Sequence, residues 1–256
     1  MYKPTFRTNK KGVPILKNEE IDDIAEHVLR DYNEQLLNNP ARIDLDKFVS
    51  KHLDLEQDFQ YLTHNGTIWG MMIFNNTNKV PVFDVDTCRA EYISARKGTI
   101  LVDNRLLEED KEVQYRSTVA HEAGHWVLHS GVFAEDENQL SIFDYLGEQQ
   151  RTEPIIQCRN MDISYSDKEA YKGLKTDEEW MEHQAKYFSA AFLMPKSTMN
   201  TFCNDLERRC RIIMDYKGFE NNALTKMVAE YFNVSFSSAA IRIKQLHLNF
   251  RDIRTF

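Results

Sequence analysis

The sequence predicts an α+β fold, and three observations lead to this prediction. Apolar residues recur at helical spacing before residue 54, short β-type runs follow up to residue 102, and helical spacing returns after residue 110. With 42% hydrophobic residues among 256, the chain can bury a sizeable core. No apolar run approaches the roughly 20 residues of a membrane span, and the N-terminus lacks the apolar stretch of a signal peptide. We therefore expect a cytoplasmic protein with no membrane partner.

The first segment, residues 1–54, is predicted to be helical. Asn18 can cap a helix with one apolar stripe, and Pro40 closes it. The stripe consists of Ile21, Ile24, Val28, Leu29, Tyr32 and Leu36. A second, short helix is expected from Asp44 to Leu53.

The middle of the chain changes to β-type runs separated by turn residues. These runs cover residues 67–74, 80–85 and 99–102, and they predict a small, mostly antiparallel sheet. Helical spacing then returns from Asp110, a suitable N-cap, to Gly131, a suitable stop. The polar and mixed stretch that follows, residues 132–176, is typical of a functional insertion because compact domains contain few long loops.

The last part of the chain is predicted to be helical. One helix is expected from Asp177 to Leu193, before Pro195. Three more are expected over about 197–214, 222–232 and 236–246. The predicted domains are therefore an N-terminal helical segment (1–54), a central α+β domain (55–195) with the insertion, and a C-terminal helical region (196–256) packed on it.

The helix that begins near Asp110 contains an HExxH motif, His121-Glu122-Ala123-Gly124-His125. Residues four apart share one face of a helix, so both imidazoles can reach a single metal ion. Glu122 then lies beside the ion, where it can take a proton from a metal-bound water as general base. The small residues Ala123 and Gly124 permit close packing below the metal. This spacing predicts metal-dependent hydrolysis, and the alternative is a surface helix whose histidines face water.

A third ligand must come from outside the motif. The longer HExxHxxGxxH pattern is excluded, because Leu128 and Gly131 occupy the positions of its glycine and last histidine. His129 lies about 12 Å of helical rise from His121, too far to bind the same ion, so it is either a supporting or a surface residue. A carboxylate from another helix would complete an open zinc site with two histidines and one glutamate.

The helix predicted from Asp177 offers that carboxylate. Glu182 adjoins its apolar stripe and points toward the core, where a carboxylate must be paired or metal-bound. Glu179 is the fallback ligand, and His183 is less favoured. For Glu178 and Glu179, a favourable charge in the first helical turn is the preferred explanation.

Three stretches of the sequence resemble the ImmA/IrrE family of zinc metallopeptidases. They are residues 116–125 with the HExxH motif, the predicted strand over 97–103, and the run from Glu182 to Pro195. Weaker similarity extends over 227–235 and 240–246. The resemblance implies a zincin-like catalytic domain over 55–195, one Zn²⁺ ion and Glu182 as its third ligand beside His121 and His125.

The sequence departs from the family pattern in places. Lys186 stands where an Asn is usual and Phe192 where a Leu is usual, and the 56 residues between His125 and Glu182 are longer than in compact members. Arg116 matches a recurrent arginine of the family. The resemblance therefore implies that Arg116 supports the site. Packing on the helix surface or a salt bridge is the simpler explanation of Arg116.

The resemblance also implies a function. Members of the family are implied to be cytoplasmic proteases that cleave helix-turn-helix repressors, an antirepressor role in mobile elements or stress responses. We therefore expect a zinc-dependent endopeptidase with Glu122 as general base. Tyr145 and Tyr165 are candidates for stabilising an oxyanion, and the sequence leaves zinc and manganese both open as the metal.

The charge distribution favours a protein substrate over nucleic acid. The net charge of -8 divides into -12 over residues 1–195 and +4 over 196–256. Residues 132–179 hold 12 acidic and 5 basic side chains, which would attract a basic repressor. Two alternatives stay open: a regulatory module that binds a repressor or DNA through its C-terminal helices, with structural zinc, and a peptidase for small peptides. A turn at Asn233-Val234-Ser235 similar to that of a helix-turn-helix motif favours the first alternative.

Overall fold

The N-terminal part of the chain forms helices that pack on the core. The computed structural model describes residues 6–133, 155–159, 174, 176–213 and 221–248. The first helices are α1 (Asn18–Asn33), α2 (Gln35–Asn38) and α3 (Leu45–Lys47), and α3 continues as a π-helical turn over Phe48–His52. Asp44 caps α3 by accepting a hydrogen bond from the Lys47 amide, as the predicted helix over 44–53 requires. Asn18 is the first residue of α1 and not its cap, because Lys17 occupies that position.

Two sheets follow. The strands are β1 (Glu56–Gln60), β2 (Ile68–Ile73), β3 (Thr77–Asp84), β4 (Arg89–Ala95), β5 (Thr99–Asp103) and β6 (Ile155–Arg159). One sheet has the order β1-β5-β2-β6, with β2 antiparallel to both neighbours and β1 parallel to β5; β3 and β4 pair as a separate antiparallel sheet. The predicted runs correspond to β2, β3 and β5. Strands β1 and β4 were not predicted, because β1 has one apolar residue and β4 is largely exposed.

Helix α4 (Glu112–His129) lies between this sheet and helix α5 (Asp177–Leu193). Its start differs from the prediction, because Asp110 belongs to a 3₁₀ turn over Glu109–Lys111 that precedes α4. The helices α4 and α5 approach closely at Gly124. A Cβ atom added there would lie 2.9 Å from Cδ1 of Phe188 and 3.2 Å from the Ala185 carbonyl oxygen. Gly124 therefore permits the close contact between α4 and α5, as we predicted from its small size.

The C-terminal helices are α6 (Lys196–Ile213), α7 (Asn221–Phe232) and α8 (Phe236–Gln245). The main hydrophobic core contains residues of all three predicted domains, such as Ile21, Phe192 and Val228. The division into those domains stays a prediction. Among the described residues, no helix combines the length and the apolar character needed to cross a membrane. The architecture is thus a mixed α+β fold in which α4 and α5 meet at the centre.

Candidate metal centre

Three side chains from α4 and α5 converge on one point. The Nε2 atoms of His121 and His125 are 3.0 Å apart, because the two residues lie one helical turn apart on α4. From α5, the carboxylate of Glu182 approaches both rings, with Oε2 at 3.2 Å from Nε2 of His121 and Oε1 at 3.2 Å from Nε2 of His125. In the part of the chain that the structure describes, these three residues are the one group with metal-ligand geometry.

The arrangement fits a zinc ion. Two ligand atoms at about 2.0–2.1 Å from a tetrahedral zinc lie about 3.3 Å from each other, close to the spacing of these three donors. Two imidazoles and one carboxylate are also the donor set of open zinc sites, which leave a fourth position for water or substrate. The predicted ligands are therefore brought together by the fold in a suitable geometry, and their role as ligands stays a prediction.

Burial and charge differ among the three. His121 and His125 are fully buried, whereas a quarter of the Glu182 side chain is exposed. Burial alone would raise the pKa of Glu182, but the charge on His125 and hydrogen bonds from both rings outweigh burial and lower it below its usual range. Glu182 is thus an anionic donor on the solvent side of the cluster.

Glu122 is fully buried on α4 against strand β2. A Cβ atom added to Gly70 of β2 would lie 2.6 Å from Oε1 of Glu122 and 2.7 Å from Cγ2 of Thr118. Only glycine at position 70 lets the strand pass so close to the carboxylate. Gly70 was not predicted from the sequence, although a glycine inside an otherwise apolar strand is a signal of a close approach.

His129 is a buried neighbour of the cluster and not a surface residue. Its Nδ1 atom lies 3.0 Å from Nδ1 of His125, and its Nε2 atom lies 2.9 Å from Oε1 of Gln184. Burial and the nearby charge of His125 lower the pKa of His129 to about 3, so the ring is neutral at physiological pH. Of the two roles left open for His129, the structure favours the supporting one.

Gln184 was also missed. It is buried on α5, and its Nε2 atom donates to the carbonyl oxygen of Pro14 at 2.8 Å. The signal in the sequence was a polar residue one turn after Met181, on the apolar face of the predicted helix.

The remaining predicted residues lie outside the cluster. Arg116 is buried, not on the helix surface, and it donates to the carbonyl oxygen of Ile43 at 2.9 Å. Burial and the charge of Arg42 lower its pKa to about 10. Glu179 is exposed and caps α5, where its Oε2 atom accepts from the Thr176 amide at 3.0 Å. Glu179 therefore makes a capping contact at the start of α5, which agrees with its interpretation as an acidic residue of the first helical turn.

A second buried polar network, here called the clamp, consists of Asp22 on α1, Tyr187 on α5 and Arg242 on α8. The guanidinium of Arg242 donates to Oδ1 of Asp22 at 2.6 Å and to the carbonyl oxygen of Met194 at 3.0 Å. The hydroxyl of Tyr187 donates to Oδ2 of Asp22 at 2.9 Å. Arg242 contributes to the net positive charge of residues 196–256, but inside the protein this charge is paired with Asp22.

Part of the chain matches the sequence model of a known protein family. Residues 164–244 match the family model described as the IrrE N-terminal-like domain of the M78 peptidases. The matched segment contains α5 with Glu182 and ends in α8, and it does not include α4. This match confirms the resemblance to the ImmA/IrrE family. A search of curated proteins found no match to the chain.

The predicted oxyanion candidates Tyr145 and Tyr165 lie outside the described residues.

Proposed function

We propose that this chain, a member of the ImmA/IrrE family of peptidases, is a zinc-dependent endopeptidase whose ligands are His121, His125 and Glu182. The observation that carries the proposal is the convergence of ligand atoms from two helices, 3.0–3.2 Å apart. Glu122, which follows His121 in the motif, is buried. Two nitrogen atoms and one carboxylate are the donor set of open catalytic zinc sites.

The roles of the residues follow from where they lie. When bound, zinc supplies Lewis acidity that polarises the scissile carbonyl and makes water a better nucleophile at neutral pH. Glu122 is the general base that takes a proton from the attacking water and delivers it to the leaving amine. The partly exposed Glu182 marks the side from which a peptide reaches the site, because both histidines are buried.

The substrate we propose is a basic helix-turn-helix repressor, which gives the enzyme an antirepressor role. The support is electrostatic and comes from the sequence. Residues 132–179, which follow α4 and lead into α5, carry 12 acidic and 5 basic side chains. A basic protein is attracted to a segment with this net negative charge, and the attraction weakens with salt. We do not propose that this protein binds DNA. Arg242 of α8 forms a buried ion pair with Asp22, so its charge does not contribute to a basic surface.

A Glu122→Gln variant tests the catalytic part of the proposal. The experiment measures bound zinc and the cleavage rate of a basic helix-turn-helix domain. The variant should retain one zinc ion per chain and lose activity by about 10²- to 10⁴-fold, because the general base is lost while the ligands remain. A variant with full cleavage activity contradicts the proposal, and a wild-type protein that binds no zinc does so as well.

The substrate class is tested with two proteins of similar size, one basic and one acidic. The basic protein should be cleaved faster at low salt, and the difference should shrink with added salt and with a triple variant Glu135→Gln, Asp136→Asn, Glu137→Gln. Equal rates for both proteins contradict the electrostatic argument. Rapid trimming of unstructured peptides without preference for a folded protein supports a small-peptide peptidase. Unchanged biological activity of Glu122→Gln supports a regulatory binding module.

A further inference from the structure

A chain of hydrogen bonds leads from the backbone of the N-terminal segment to His125. The carbonyl oxygen of Pro14 accepts from Nε2 of Gln184 at 2.8 Å, and Oε1 of Gln184 lies 2.9 Å from Nε2 of His129. Nδ1 of His129 lies 3.0 Å from Nδ1 of His125, whose Nε2 atom faces Glu182 at 3.2 Å. Gln184, His129 and His125 are all buried. We call this sequence of contacts the relay.

The hydrogen bonds of the relay can run from donor to acceptor in only one direction, which the carbonyl of Pro14 determines. A carbonyl oxygen can only accept, so the amide of Gln184 must turn its NH₂ group toward Pro14 and its oxygen toward His129. The reverse orientation would bring two acceptors to 2.8 Å from each other inside the protein. The identity of the atom that faces His129 is therefore determined by a backbone group and not by the site itself.

The same reasoning continues through both rings. Because the oxygen of Gln184 accepts, Nε2 of His129 must carry a proton, and in an imidazole with a single proton the Nδ1 atom then has a lone pair. That lone pair requires a proton on the facing atom, Nδ1 of His125. The lone pair for a metal ion is consequently on Nε2 of His125, the atom that lies in the cluster.

We propose that Gln184 and His129 are positioning residues that hold His125 in the tautomer and orientation needed to bind the metal. The inference deepens the proposed function and rests on it, since the tautomer of His125 matters there only as that of a ligand. Partners behind metal-bound histidines are known to fix the tautomer and ring orientation and to raise ligand basicity. Here the partner is itself a histidine, whose own tautomer is imposed from Pro14 through Gln184.

The position of the proton distinguishes the relay from a structural contact. The probe is the ¹⁵N NMR spectrum of the imidazole nitrogens in the metal-free protein. In the wild-type protein, His129 should be protonated on Nε2 and unprotonated on Nδ1, and His125 should be protonated on Nδ1. The Gln184→Leu variant should lose the single His129 tautomer. A wild-type His129 with its proton on Nδ1 overturns the proposal.

Zinc affinity, measured by competition with a chelator, gives the second readout. Gln184→Leu and His129→Phe should each weaken zinc binding by about 10- to 100-fold. Gln184→Glu should recover most of the loss, because a protonated carboxyl group can donate to the Pro14 carbonyl with one oxygen and accept from His129 with the other. The matched control is Ser189→Ala, which removes a hydrogen bond between α5 and the Ser117 carbonyl of α4 outside the relay. The zinc affinity of Ser189→Ala should stay near the wild-type value.

The two readouts also separate this inference from the proposed function. If the wild-type protein binds no zinc, the proposed function fails, while the NMR spectrum of the metal-free protein still reports the relay. If zinc binds tightly and Gln184→Leu and His129→Phe bind it as well as Ser189→Ala does, the relay has no positioning role and the proposed function stands.

Discussion

The two buried polar networks that involve α5 differ in how their atoms are matched. In the clamp, the guanidinium of Arg242 and the hydroxyl of Tyr187 donate to acceptors that lie within 2.6–3.0 Å of them. In the metal centre, two imidazole nitrogens and a carboxylate face each other, and with no proton between them each offers a lone pair. One network pairs donors with acceptors, and the other brings acceptors together.

This difference separates structure from function. Buried acceptors that face one another are costly unless a cation, either a proton or a metal ion, lies between them. A network whose donors and acceptors are matched needs nothing further, and it holds α1, α5 and α8 together. We therefore expect changes in the clamp to alter stability and changes in the metal centre to alter zinc binding.

The largest effect on stability is expected for Arg242→Met. This variant leaves the carboxylate of Asp22 buried without its cation and should lower the free energy of unfolding by about 3–5 kcal/mol. Urea denaturation of the metal-free protein measures the change. Lys244→Met, an exposed position on the same helix, is the control and should have little effect.

A double variant, Asp22→Asn with Arg242→Met, refines this test. Removing both charges leaves no unpaired ion, so much of the lost stability should return. If the double variant is no more stable than Arg242→Met alone, the pairing of charges is not what the clamp contributes.

The next effect is the stabilisation of the protein by zinc. At a free zinc concentration 100 times the Kd, the free energy of unfolding should rise by about 2.7 kcal/mol. The rise should fall to about 0.4 kcal/mol in Glu182→Gln if that variant binds zinc 100-fold more weakly. Thermal denaturation with and without zinc measures both values. Equal stabilisation of the two proteins would mean that Glu182 is not a ligand.

A smaller effect, about 1–3 kcal/mol, is expected for Gly124→Ala. The new methyl group would meet Phe188 and the Ala185 backbone, so α4 and α5 must separate slightly. Because the ligands come from both helices, zinc affinity should fall together with stability. Gly131→Ala is the matched control, since a Cβ atom there has nothing within 4 Å. An unchanged zinc affinity in Gly124→Ala would show that the helix spacing does not limit the site.

The smallest effect is expected for Tyr187→Phe. The variant removes one hydrogen bond to Asp22, while the stronger contact with Arg242 remains, so the loss should be about 1 kcal/mol. Zinc affinity should not change, although Tyr187 and Glu182 share a helix. A clear loss of zinc affinity would mean that the clamp also positions the ligand, and the two networks would then not be independent.

The sequence predicted local features well. The bounds of α5 were predicted as observed, because its start, its apolar stripe and the following proline are all local signals. Helix α4 was found from the spacing of its apolar residues, although its start was predicted two residues early. The β1 and β4 strands escaped prediction, since β1 has a single apolar residue and the alternation in β4 breaks after four residues, at Ile93.

The sequence by itself determined the pairing of His121 with His125, because residues four apart on a helix share a face whatever surrounds them. Only the tertiary structure decided that Glu182 joins them while Glu179 caps its helix, that His129 is buried, and that Gly70 lies against Glu122. The contact of His129 with Gln184 spans 55 residues and that of Arg242 with Asp22 spans 220. Such contacts depend on how helices and strands pack, and no periodicity along the chain encodes that packing.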